Sequence, residues 1–301
     1  MSFAMQSRHH LSYGVEESFG TLPQPASFRT VRHTGCDLKL SRRTIDSDEI
    51  RSDRHFAHVL QAEQQVSGDL DFELSYGAYD DFLAASLMGT WQSDILVTGT
   101  HETSFTFQQH FQDIDLYQSC SACRIDEWEL VAQPGRMITG RFGIKGRSLK
   151  SEADSLDETI EASASFAPMD SFLGSVREGG DLLAIAAGLD LKLENGIDPV
   201  FALGAENSLA MTSGRSRLSG ELTAYFENGA LLEKFLNKSS SNLELTLSGE
   251  GGSYHFHLPN IIYTGVDLPV RDEKEIILSL PFRALYDETE GTNIKITRIA
   301  S

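Results

Sequence analysis

The chain is poor in cysteine, tryptophan and positive charge, and it has no long apolar run. Three cysteines among 301 residues are too few, and odd in number, for a disulfide framework. The tryptophans number only two, Trp91 and Trp128, so no exposed aromatic cluster of the kind that binds sugars is in view. Lys and Arg total 25 against 44 Asp and Glu, a formal net charge of -19. Cationic side chains drive binding to phosphate backbones by displacing counterions, so this balance argues against sequence-specific DNA or RNA binding. The longest apolar run, residues 182–189, is closed by Asp181 and Asp190. A membrane helix needs roughly 20 apolar residues, so no membrane span is expected. No basic segment followed by an apolar run opens the chain, so no secretory signal is expected. Synthesis and folding in a reducing cytoplasm is the simplest reading.

What is present is alternation. In Gly68-Asp-Leu-Asp-Phe-Glu-Leu-Ser-Tyr76, Leu70, Phe72, Leu74 and Tyr76 fall on one face, and Asp69, Asp71, Glu73 and Ser75 on the other. That is a strand with a dry side and an acidic side. The same pattern recurs at residues 127–131, 242–247 and 254–258, and more faintly at 275–280 and 293–299. Antiparallel sheets with one solvated face read this way; fully buried parallel sheets do not. Helices are few. Tyr79, Phe82, Leu83, Ser86 and Leu87 share a helical face that Gly89 can close, and residues 231–236 offer a second helix with Asn228 as N-cap.

Both helices follow the same phrase. Val66-Ser-Gly-Asp-Leu70 returns as Leu218-Ser-Gly-Glu-Leu222, 152 residues on, and Gly77-Ala78 returns as Gly229-Ala230. Upstream, Asp37-Leu-Lys-Leu40 returns as Asp190-Leu-Lys-Leu193. Matches in the same order at nearly the same spacing point to a tandem duplication of one β-rich unit with a short flanking helix. The expected domains are residues 1–150 and 151–301, with a polar spacer at 150–158 near the junction.

Catalytic signatures are missing. Cys120-Ser-Ala-Cys123 lacks the two further ligands a zinc site needs and any thioredoxin-like surroundings, so the pair reads as ordinary strand or loop cysteines. His255-Phe-His257 puts two imidazoles on one strand face with no third ligand indicated. Asp113-Ile-Asp115 lacks the glycine and distal glutamate of a calcium loop. The run Gly140-Arg-Phe-Gly-Ile-Lys-Gly146 fits neither a phosphate loop nor a dinucleotide fingerprint, and close packing or a bulge explains it. No nucleophile elbow or metalloprotease helix occurs. No catalytic residue, metal or cofactor is expected, and the chain is read as a non-enzyme.

The most unusual segment is a loop of alternating charge, Ser47, Asp48, Glu49, Ile50, Arg51, Ser52, Asp53 and Arg54, between two β-like stretches. Mixed charge of this kind is either a solvated loop or one that meets a neighbouring subunit, where charge pattern fixes register.

At this loop the sequence resembles the major tail tube proteins of long-tailed bacteriophages with non-contractile tails. Three runs carry the resemblance: Glu17-Ser-Phe-Gly-Thr-Leu-Pro23; Cys36-Asp-Leu-Lys-Leu40 leading into Ser47–Arg54; and residues 66–76 running into Tyr79-Asp-Asp-Phe-Leu83. They cover roughly residues 13–90, and the second half joins through the internal repeat. The resemblance implies a mainly β protein built from a β-sandwich or barrel unit. It also implies rings whose lumenal strands form a continuous barrel, stacked into a hollow virion tail tube through which the genome passes.

The loop at 47–54 matches the place of the family's ring-to-ring loop. The second half has Glu194-Asn-Gly-Ile-Asp-Pro-Val200 there, so its contact must differ. The family's rings commonly hold six copies of one domain, so a duplicated chain is expected to form trimeric, pseudo-hexameric rings. Asp69, Asp71 and Glu73, with Glu221 as the repeat partner of Asp69, are the expected lumen-facing acids. Expected partners are other copies of the chain, a tape measure protein inside, and tail terminator and distal tail proteins at the ends. Double-stranded DNA is expected to transit without specific binding. A ligand- or carbohydrate-binding β-sandwich module is the alternative reading.

Overall fold

A computed structural model describes residues 3–50, 52, 53, 55, 58–157, 159–270 and 275–301. Alternating sequence becomes strand almost throughout. The first half holds β1 (His9–Val15), β2 (Lys39–Asp46), β3 (Val59–Glu73), β4 (Phe105–Phe111), β5 (Leu116–Ala132), β6 (Thr139–Gly146) and β7 (Ser148–Glu152). The second holds β8 (Gly174–Glu178), β9 (Ala186–Glu194), β10 (Arg217–Tyr225), β11 (Ser241–Gly249), β12 (Gly252–Tyr263), β13 (Ile277–Ala284) and β14 (Lys295–Ala300). Helices α1 (Asp80–Ser86) and α2 (Ala230–Leu236) follow β3 and β10. None of the described helices is long and apolar enough to cross a membrane.

The pairing order is the same in both halves, and every pair is antiparallel. In the first half β2 lies beside β3, β3 beside β6, and β6 beside β5, which also pairs with β4 and β7; β1 edges β4. In the second, β9 lies beside β10, β10 beside β13, and β13 beside β12, which also pairs with β11 and β14; β8 edges β11. The halves join where β9 lies along the second part of β5, with Leu193 opposite Trp128 and Leu191 opposite Leu130. One sheet therefore runs β2–β3–β6–β5–β9–β10–β13–β12.

The repeated Ser-Gly phrase has a steric cause. A Cβ added at Gly68 would lie 2.6 Å from the carbonyl oxygen of Asp37, and one at Gly220 would press closer still on that of Asp190. Asp37 and Asp190 are themselves repeat partners, so the same close approach of adjacent strands excludes a side chain at both places.

Register places one apolar row across five strands: Leu70, Phe142, Trp128, Leu193 and Leu218, all buried. Each such side chain contributes roughly 1.5–3 kcal/mol by leaving water. The α1 helix packs Phe82 and Leu83 against this side, with Phe82 touching the rings of Tyr13, Phe105, Phe107 and Phe142. The α2 helix buries only Leu231.

Local details differ from the sequence reading. The strand expected at 68–76 starts at Val59 and ends at Glu73, because Leu74 donates its N–H to Ile138 in a cross-connection. At the end of α1, Met88 takes the left-handed backbone with φ 48°, and Gly89 is needed because a Cβ there would strike the Val97 carbonyl. Gly229 holds the N-cap position of α2, while the Asn228 side chain accepts from the Ala230 N–H.

Candidate functional site

The face opposite the apolar row is acidic, and it runs across the junction of the halves without a break. Asp71, Arg141, Glu129, Lys192 and Ser219 form one row in register across β3, β6, β5, β9 and β10. Beside it, Asp69 lies opposite Gly143, Gly143 opposite Glu127, and Glu127 opposite Glu194. On the other side Glu73, Thr139, Val131, Asp190 and Glu221 form a third row. Residues in register share a face because strand side chains alternate with period two. The structure thus brings Asp69, Asp71 and Glu73 together with Glu221, and fills the space between them with further carboxylates.

Two cations on this face, Arg141 and Lys192, are held by its acids, while Arg217, opposite Glu194, and Arg283, opposite Ser219, also lie on it. Arg141 Nε lies 2.9 Å from Asp71 and its guanidinium 3.8 Å from Asp69. Lys192 Nζ sits among Glu129 at 3.1 Å, Glu127 at 3.2 Å and Glu194 at 3.3 Å, and the carboxylates raise its pKa. At the margin Lys145 bonds Asp126 at 2.8 Å and the carbonyl of Ile197 at 2.6 Å. The carboxylate surplus also works against its own members. Asp190 is half-buried and its pKa is raised, first by burial and then by Glu221 and Glu129. Burial likewise raises Asp69, against the pull of Arg141. Glu221 is exposed and accepts from the Ser279 hydroxyl.

The charged loop crowns the β2–β3 hairpin. Ser47 donates its N–H to His58, the Ser47 hydroxyl accepts from Glu49 N–H, and Asp53 accepts from His55 N–H. Asp48, Glu49, Ser52 and Asp53 are exposed, and Ile50 is 98% exposed. Arg51 and Arg54 lie outside the described residues. The hairpin itself carries exposed Ile45, Val59 and Leu60. In the second half the matching segment folds back as a small hairpin, Asp198–Val200 against Ala210–Thr212. Its loop braces the base of the long hairpin, with Glu206 accepting from Gln64 N–H and Asn207 from the Gln64 amide.

The other sequence motifs fall inside structural roles. Cys120 and Cys123 lie in β5, and burial pushes the Cys120 thiol to about 12 and Cys123 well above its ordinary value. Cys36 is raised by burial to about 11. Such thiols stay protonated near neutrality and are poor nucleophiles. His255 Nε2 lies 3.2 Å from Glu244. Among the described residues no group of three or more His, Cys, Asp or Glu is arranged to hold a metal ion. The Gly140–Gly146 run is strand β6, with the Phe72 ring against Gly140.

Sequence reasoning passed over Glu127, Glu129, Asp190, Lys192 and Glu194. Their alternation was visible in two separate segments, but only β5–β9 pairing puts them on one face. It also passed over Glu16, buried with its carboxylate accepting from Gly20 N–H, Ala122 N–H and the hydroxyls of Ser104 and Thr106.

The family model described as phage tail tube protein matches residues 6–284, which spans both halves and the junction between them. Among curated proteins none matches the chain.

Proposed function

Because this chain belongs to the phage tail tube protein family, a structural component of the virion tail, we propose that it forms trimeric rings that stack into a hollow tube with an acidic channel. The observation that carries this reading is the polar face continuing in register from β3 through the β5–β9 junction to β10. A channel lined by such a face repels phosphates, so DNA slides through, whereas a lysine-rich wall would bind it by counterion release.

The two halves, taken as residues 1–150 and 151–301, each supply one sixth of the ring wall. Three chains then give a closed pseudo-sixfold assembly with no unpaired strand edge. The β2–β3 hairpin reaches to the adjacent ring, where Ile50 and the flanking charges of residues 47–54 fix stacking direction and register. The smaller second-half hairpin leaves that contact to the first half and supports it from below. The tube belongs to a non-contractile tail and is assembled in the host cytoplasm. A tape measure protein occupies the channel during assembly, and terminator and distal tail proteins close the ends.

Electron microscopy of the purified chain tests the reading. Tubes or stacked rings with three chains per ring are expected. A strictly monomeric protein would overturn it, and six chains per ring would remove the duplication argument.

A further inference from the structure

Each residue at the β5–β9 junction has a counterpart in the other half. Residues 189–194 of β9 correspond to 36–41: Leu189 lies opposite Leu222 as Cys36 lies opposite Leu70, and Lys192 opposite Ser219 as Lys39 opposite Ser67. Their partner on β5, residues 127–132, corresponds to 265–270. Glu129 lies opposite Arg141 as Asp267 lies opposite Ser279, and Arg141 and Ser279 hold matching places against Asp71 and Thr223.

At the junction these two edges cover each other. In the counterparts both are open: among the described residues no strand lies along the outer side of 36–41 or of 265–270. Their backbone groups are set to pair. Asp37 gives its N–H to Asp69, and Asp267 exchanges both backbone bonds with Ser279. By strand alternation Leu38, Leu40, Val266 and Leu268 therefore turn their N–H and C=O groups outward. Pro269 falls at a position facing β13, so its missing N–H leaves the outer row intact.

A second observation is independent of the edges. In the second half, Ala132, Pro134 and Ile138 of the β5–β6 turn roof a cavity of about 400 Å³ over Leu189, Leu245 and Leu247. The matching place in the first half is a wider cleft of about 710 Å³ over Cys36, Gln109 and Phe111, bordered by Ala4, Met5 and Gln6, and among the described residues no turn matching 133–138 covers it. Ala132, where that roof begins, corresponds to Val270, so the end of the 265–270 segment of a neighbouring copy would start the same cover.

We propose that residues 36–41 of one copy pair antiparallel with residues 265–270 of a second copy, in the register of the chain's own junction. Lys39 then faces Asp267 as Lys192 faces Glu129, and Leu40 and Leu38 face Val266 and Leu268. The latter two already pack against the core of their own half, so the apolar row continues from copy to copy. The proposal rests on the tail tube reading for the identity of the partner, a second copy of this chain.

Cysteine cross-linking tests it. Lys39 and Asp267 would form a non-hydrogen-bonded pair, in which Cα atoms lie about 4.5 Å apart and a disulfide can close. Lys39→Cys with Asp267→Cys, mildly oxidised, is expected to link chain to chain, in a series ending at three chains on a non-reducing denaturing gel. The parent chain, run in parallel, accounts for Cys36. Glu129→Cys with Lys192→Cys has the matching geometry within one chain and is expected to close without linking chains. Rings that form while 39/267 stays unlinked and an offset pair, Lys39→Cys with Pro269→Cys, links would overturn the register but leave the tube. A series ending at six would keep the register and overturn the trimer. A chain that stays monomeric and unlinked while the 129/192 pair closes would overturn both. If the cysteine variant does not assemble, charge exchange decides: Lys39→Asp and Asp267→Lys are each expected to block rings and together to restore them, and no restoration overturns the pair.

Discussion

Asp190 and Glu221 face each other across β9 and β10, and Asp190 Oδ1 is buried without a hydrogen-bond partner. Two like charges thus sit side by side at the junction of the halves at a cost to the fold. Removing that cost defines the first expectation. Asp190→Asn should stabilise the isolated chain by up to about 1 kcal/mol at neutral pH, the usual ceiling for an interaction between partly solvated charges. The sign follows from the direction of the shift: the folded chain disfavours the charged form, so the penalty applies above the raised pKa and vanishes as pH falls to 3.8 and below. Melting curves of both chains from pH 7 to pH 3.5 should converge at the acid end. A variant less stable at pH 7 would refute the argument.

Lys192 is the counterweight. Its three glutamate partners raise its pKa above 10.5, so its contribution is complete below that value and is lost as pH rises through the elevated pKa. Lys192→Gln should cost about 1 kcal/mol at low salt, because the site is partly open to solvent. The deficit should shrink in high salt, where surface charges are screened, and begin to fall only as pH rises past 10.5 toward the raised pKa. Denaturant unfolding across salt and pH checks both trends. A deficit indifferent to salt would assign the loss to packing of the lysine stem.

The core alternation and both helices were legible in the sequence because each depends on neighbours close in the chain. Leu70 and Phe72 declare a strand by themselves, and Phe82 and Leu83 a helix. The shared acidic face was not legible. Glu127 and Lys192 meet only because β9 docks on β5, and nothing in either segment names its partner. Gly89 shows the same limit from another side: it looks like a helix stop, yet its small size serves a carbonyl at Val97 that the local sequence cannot reveal.

Glu16 makes a further expectation, this time about stability alone. Its carboxylate satisfies two N–H groups and two hydroxyls on the loop after β1 and on β4 and β5. Leaving buried donors unpaired costs about 1–3 kcal/mol each where water cannot replace the acceptor. Glu16→Ala should therefore lower stability by about 3 kcal/mol or more, read as a fall in melting temperature of the isolated chain. A change under about 0.5 kcal/mol, the usual size for surface sites, would mean that water fills the place.

The channel reading can be tested through charge. Asp71 is tied to Arg141, so reversing it would disturb the fold as well as the surface. Glu73 and Glu221 have no ion-pair partner among the described residues, and Glu73→Lys with Glu221→Lys should leave rings intact. If this face lines the channel, tubes of the variant should slow DNA release from reassembled particles, the more so at low salt. Unchanged release from particles with normal tubes would place the face elsewhere.

The last expectation concerns the tip of the β2–β3 hairpin. Ile50 is 98% exposed, and Ile45, Val59 and Leu60 are exposed along the same hairpin. An isolated subunit gains nothing from these side chains, whereas a neighbouring ring that buried Ile50 would gain roughly 1.5–3 kcal/mol per copy. Exposed ion pairs from the adjacent charges add only about 0–1 kcal/mol each, so they select register more than they hold rings together. Ile50→Asp should therefore give rings that no longer stack, with thermal unfolding of the subunit unchanged. Arg51→Glu with Arg54→Glu, which reverses the loop's positive charge, should have the same effect on stacking. Sedimentation separates rings from tubes, and calorimetry reports the fold. Normal tubes from both variants would make the loop a solvated connector, and lowered melting temperatures would assign its side chains to the subunit instead of the tube.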